Sequence, residues 1–86
     1  MPVVAVVGGI AVLFFYDDHA PPHFHLRAAD FTAKIAIADL SVIEVQGRMR
    51  PRDIRVIRRW AMGHKSELLE NWSRARRYEK LIKIEG

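Results

Sequence analysis

The chain has 86 residues, half of them apolar and 28% charged, with no cysteine and a formal net charge of +4. That length allows one domain with a thin core, because so short a chain buries only about 60–65% of its unfolded surface. The lack of cysteine excludes a disulfide-stapled secreted scaffold and thiol nucleophiles, and fits a reducing cytoplasm. Extra stability then has to come from a metal, a partner chain or a helix packed on a sheet. The charge is unevenly divided. Residues 1–46 carry two basic against five acidic side chains, net −3, and residues 47–86 carry twelve against five, net +7. A basic half of this kind suits nucleic acid, an acidic partner protein, or a plain solvated helix.

Val3 to Tyr16 is an uncharged run of 14 residues. A membrane span needs roughly 20 apolar residues, and a signal peptide needs a basic leader. This run has neither, holds Gly8-Gly9 at its centre and runs into Asp17-Asp18. It reads as two strands and a tight turn, a buried β-hairpin, with no membrane expected. Pro21-Pro22 then holds the chain extended. His23–Ala28 alternates as a strand, Ala29-Asp30 makes a turn, and Thr32–Ala38 alternates with Ile35 and Ile37 on one face. Ser41–Val45 is a short β-like piece ending at Gly47.

From Pro51 to about Arg77 the period becomes helical. Proline suits a first turn, and Asp53 sits well against the helix dipole. Steps of 100° place Ile54, Ile57, Ala61, His64, Leu68, Trp72 and Ala75 on one stripe, with Trp60 at its edge and Arg52, Arg55, Arg59 and Arg77 opposite. Gly63 is able to bend or split this helix. Lys80–Ile84 alternates and is able to return as a last strand. The expectation is a single α+β domain over residues 1–86. Its small antiparallel sheet, the N-terminal hairpin plus two or more strands within about 3–45, packs against one long or bent amphipathic helix over about 51–77, with a final strand at 80–84.

The densest chemistry lies in Asp17–His25, where three of the four histidines fall within nine residues. On a strand His23 and His25 point the same way, about 7 Å apart, while Phe24 faces the other side. Such a pair supplies two ligands to a zinc-like ion, and His19, Asp17 or Asp18 is able to bring a third. The metal set is thus His23, His25 and His19. The same His19, His23 and His25 with Asp18 suit general acid–base catalysis, because a nearby carboxylate moves a histidine pKa across neutrality. Ordinary strand histidines beside turn-capping aspartates are the simpler account of the spacing.

At these residues the chain resembles a known family. Tyr16-x-Asp18-His19-x-Pro21-Pro22-His23-Phe24-His25, then Gly47, Trp60, His64, Glu67-Leu68 and Asn71-Trp72, resemble the pattern of the bacterial DUF family 4160, a domain of unknown function. The resemblance implies a small single-domain bacterial protein, encoded beside another small protein in a toxin–antitoxin-like arrangement. It brings no catalytic residue with it. The chain departs from the pattern in its very apolar Val3–Val12, which points to an extra buried surface or a partner interface.

His64 lies within the apolar stripe. A hydrogen-bonded core histidine is the simpler account. The sharper one docks the helix so that His64 joins His23 and His25. Trp60 and Trp72 serve as anchors of the helix on the sheet. Arg48, Arg50, Arg52, Arg55 and Arg59 are denser than solubility needs and offer bidentate contacts to phosphate or carboxylate. No exposed aromatic interleaves with them, and no helix-turn-helix or zinc-finger spacing is present. Two functions follow. The favoured one is a cytoplasmic binding component of a toxin–antitoxin-like pair. It acts through a small protein encoded nearby, or a second copy of itself, and through RNA or DNA. The alternative is a metal-assisted hydrolase or ribonuclease built on His19, His23, His25 and an aspartate, with zinc as its cofactor.

Overall fold

A computed structural model of the chain describes residues 2–86. Its strands are β1 (Val3–Val7), β2 (Ile10–Leu13), β3 (His23–Arg27), β4 (Phe31–Ala36) and β5 (Val42–Gly47), and two helices follow, α1 (Pro51–Met62) and α2 (Lys65–Arg76). The strands form one sheet in sequential order with every neighbour antiparallel. The α+β reading holds, and the apolar N-terminal run is a hairpin. Gly8 and Gly9 both adopt positive φ between the paired Val7 and Ile10, as the favoured two-residue hairpin turn requires.

The period of two along the strands sorts the side chains into two faces. Val12, Leu26 and Ala33 stand opposite one another across β2, β3 and β4, as do Phe24 and Ile35 across β3 and β4. They meet Ile57 and Ala61 of α1 and Leu68, Trp72 and Ala75 of α2 in a single core. Phe24, Ile35, Ile57 and Leu68 are completely buried, and each such side chain contributes about 1.5–3 kcal/mol. His23, His25, Arg27, Thr32 and Lys34 alternate onto the opposite face. At the start of the helical half, Gly47 has φ +92, and a Cβ there would fall 2.3 Å from the Asp30 carbonyl oxygen.

One long helix over 51–77 does not form. A straight helix of that span would measure about 40 Å, longer than the 33 Å long axis of the molecule. Splitting it at Gly63-His64 lets both halves lie on the sheet. The Gly63 amide closes a tight last turn on the Trp60 carbonyl and the His64 amide bonds the Ala61 carbonyl, while the His64 carbonyl accepts from Leu68 to open α2. The expected start is kept: Pro51 occupies the first turn, and the Asp53 carboxylate accepts from the Arg50 amide at 2.9 Å. No helix among the described residues is long and apolar enough to cross a membrane.

The last strand expected at 80–84 does not form either. Asn71, fully buried, takes both backbone groups of Ile82: its Nδ2 donates to the Ile82 carbonyl and its Oδ1 accepts from the Ile82 amide, each at 2.8 Å. Groups that a ladder would use are therefore already spent. One backbone bond still reaches β1. The register there passes from Val3↔Leu13 to Ala5↔Val12, which leaves Val4 as an unpaired bulge residue. The Ile84 amide donates to the Val4 carbonyl at 2.8 Å. The Trp60 indole N–H adds a bond to the Glu85 carbonyl at 2.8 Å.

Asn71→Ala removes both bonds to Ile82 and is expected to cost about 1–3 kcal/mol. Urea denaturation will read the loss, and hydrogen exchange will show the Ile84 amide unprotected while the amides of β3 and β4 stay protected.

Candidate functional site

The site is built where β3 begins. The 14–22 connection leaves β2 and crosses the end of the sheet, carrying Asp18 to the two strand histidines. The Asp18 Oδ2 lies 2.9 Å from His23 Nε2 and 2.7 Å from His25 Nε2. The three donor atoms all sit within 4.8 Å of one another. His23 and His25 are only 5% and 8% exposed, and Asp18 is half-buried.

The His23 ring is held through its far nitrogen. His23 Nδ1 is 2.8 Å from the Pro21 carbonyl oxygen. A carbonyl only accepts, so Nδ1 carries a proton, and in the neutral ring Nε2 presents a lone pair toward the carboxylate. His25 Nε2 donates to Asp18 Oδ2, and the Phe15 ring stands edge-on to the His25 imidazole at 4.1 Å. The Trp72 indole of α2 lies 5.1 Å from the His23 ring, and the Arg76 guanidinium stands over the indole, 5.7 Å from its centroid. The other Asp18 oxygen, Oδ1, accepts from the His19 amide.

His23 Nε2 is fully enclosed yet lies off the line of a hydrogen bond to Asp18, so it has no directed partner. Burial alone would push the Asp18 carboxyl up. The His25 hydrogen bond, the charges that His23 and His25 carry when protonated, and the His19 amide bond together outweigh it and hold Asp18 below the usual carboxylate value. Burial pushes the His25 imidazole down, more than the Asp18 bond and charge raise it. At neutral pH the site therefore joins a carboxylate to a neutral His25. Asp18 and His25 also line a groove of about 390 Å³ on the open face of the sheet, with Phe15, Lys34, Glu44 and Gln46 along it.

The other residues singled out in the sequence lie apart. His19 is exposed and contributes its backbone amide rather than its ring. His64 does not join His23 and His25. It sits at the break between the helices, hydrogen-bonded through Nδ1 to Glu67 and 5.0 Å from the Trp60 ring. The three-residue spacing of His64 and Glu67 is a signal for that pairing. Arg48 is exposed after β5, and Arg50 is tied to Asp30 at 3.1 Å. Arg52, Arg55 and Arg59 line a second cleft of about 370 Å³ together with Val56 and Trp60. Among the described residues none of these three arginines has an acidic partner. Phe15 and Trp72, which wall the histidines, carry no local sequence signal for that role.

A family model described as a domain of unknown function, DUF4160, matches residues 9–73, about three quarters of the chain. No curated protein and no solved structure matches the chain.

Long-range proton–nitrogen spectra at neutral pH are expected to give the Nδ1–H tautomer for His23 and the Nε2–H tautomer for His25. In Asp18→Asn the His25 ring resonances should move while those of His64 stay fixed. An Nε2–H tautomer at His23 would break this assignment.

Proposed function

The chain belongs to the DUF4160 family, and on that premise we propose that it is a binding component of a toxin–antitoxin-like pair whose α1 surface engages the phosphate backbone of RNA or DNA. The observation that carries the reading is the cleft of Arg52, Arg55 and Arg59. Arginines that pair with neighbouring carboxylates, as Arg74 does with Glu70 and Arg77 with Glu79, must give up those partners to meet a phosphate. Among the described residues the three arginines of the cleft have none to give up. Spaced three and four residues apart, they share one helix face, and a guanidinium fork matches phosphate geometry.

The half-buried Trp60 also supports the reading. It lines the same cleft with its indole N–H fixed by the tail. That places an aromatic beside the arginines, where helical periodicity alone placed none, and an aromatic face is what an unstacked base packs against. A small protein encoded nearby remains part of the proposal as the second partner, resting on the family resemblance.

Binding of mixed-sequence RNA and of duplex DNA, followed across a salt series, tests this. Affinity should fall steeply with salt, and Arg52→Ala/Arg55→Ala/Arg59→Ala should reduce the log–log slope by about 2–3, at roughly 0.7–0.9 per phosphate contact. A folded triple variant with unchanged affinity and slope would remove the arginine cleft from the mechanism. Salt-sensitive capture of an acidic protein in place of nucleic acid would reassign the partner.

A further inference from the structure

We propose that Asp18, His23 and His25 form a binding site for one divalent transition-metal ion of the zinc type, held by His23 Nε2, Asp18 Oδ2 and His25 Nε2, the His25 proton moving from Nε2 to Nδ1 as the ion takes the place of the Asp18 hydrogen bond. The proposal stands apart from the arginine cleft and does not depend on nucleic-acid binding.

The first ground is an unresolved contact. With its Nδ1–H given to the Pro21 carbonyl, the neutral His23 ring turns a lone pair toward the Asp18 carboxylate 2.9 Å away. Two acceptors at that distance repel, and this nitrogen is fully enclosed with no directed partner. A buried polar atom left in that state costs about 1–3 kcal/mol. A cation between the two groups turns the repulsion into coordination.

The second ground is the donor set. Two imidazole nitrogens and one carboxylate oxygen suit zinc and its first-row neighbours rather than calcium or magnesium, which take oxygen. Metal-binding histidines characteristically give their other ring N–H to a backbone carbonyl or carboxylate, which fixes the tautomer. His23 does so through Pro21. Asp18 is itself supported through Oδ1 by the His19 amide.

The third ground is size. Ligands at about 2.0–2.2 Å in tetrahedral geometry stand about 3.3 Å apart. The present separations of 2.7 and 2.9 Å from Asp18 open to that value by about half an ångström. Asp18 sits on a connecting loop and not in a strand, so a small side-chain rotation is enough. Phe15 and Trp72 pack on the two rings and limit water on those sides. Three protein ligands leave a fourth position for water, the open arrangement of hydrolytic rather than purely structural sites.

The test uses the full chain without a histidine tag, stripped by chelator, and titrated with Zn²⁺ by calorimetry and with Co²⁺ by visible absorption. One ion per chain is expected, with shifted ring resonances for His23 and His25. Asp18→Asn and His25→Gln should each weaken binding more than about 100-fold, beyond the 10–100-fold typical of an outer-shell partner. His19→Ala and His64→Ala should leave it unchanged. Should His25→Gln fail to fold, Asp18→Asn keeps the side-chain volume on a surface loop and decides alone. Lack of stoichiometric binding by the folded wild-type chain would overturn the proposal. Binding that survives Asp18→Asn, or that is lost in His19→Ala, would overturn it as well.

Discussion

Strand β3 stands third of five, hydrogen-bonded on both sides, and its register sets two surfaces at once. Phe24 and Leu26 are buried with the helices, and His23 and His25 alternate to the other face. A slip of one residue would put two imidazoles into the core and two large apolar side chains against Asp18. The core's demand for Phe24 and Leu26 thus fixes the histidines as firmly as any contact of their own. A connection of nine residues, 14–22, then only has to carry Asp18 back across the strand end.

The helical half closes this arrangement with little material. Neither helix alone covers five strands, and each supplies a few buried residues: Ile57 and Ala61 from α1, Leu68, Trp72 and Ala75 from α2. Trp72 serves two purposes, completing the core and lying against the His23 ring. The docking of α2 and the geometry of the histidines are therefore coupled through one side chain. Asn71, next in the chain, spends its amide on the tail, so adjacent residues of one helix turn hold the site on one side and the end of the chain on the other.

Much of this was legible in the residues. The hairpin about Gly8-Gly9, the shared face of His23 and His25, and the helix start at Pro51 each follow from local rules of period and backbone freedom. Gly63 marked where the helix is able to split, but the periodicity did not decide that it does. A stripe at 100° steps runs through Ile57, Ala61, His64 and Leu68 without losing phase, and periodicity is blind to a short interruption that preserves it. The limit that decides the matter is the 33 Å long axis, a property of the whole molecule. The final strand failed for a related reason: alternation in Lys80–Ile84 is real, but a buried Asn71 eleven residues before Ile82 competes for the backbone. Asp18, Trp72 and Phe15 come together through tertiary packing, which no local spacing encodes.

The Val4 carbonyl, left without a strand partner by the bulge, gives the two borders of the sheet different characters. At β1 an outward hydrogen-bonding group is occupied by Ile84, and the Lys83 ammonium donates to the Val3 carbonyl at 2.6 Å, so the chain's own tail acts as a cover strip on that edge. At β5 no further strand pairs on the outer side among the described residues. Ile43 and Val45 are exposed there, flanking a charged Glu44. The sheet is consequently polar in the sense of a one-sided fastener: one border is shut from within, and growth by strand addition is left to the other, against a single guarding charge.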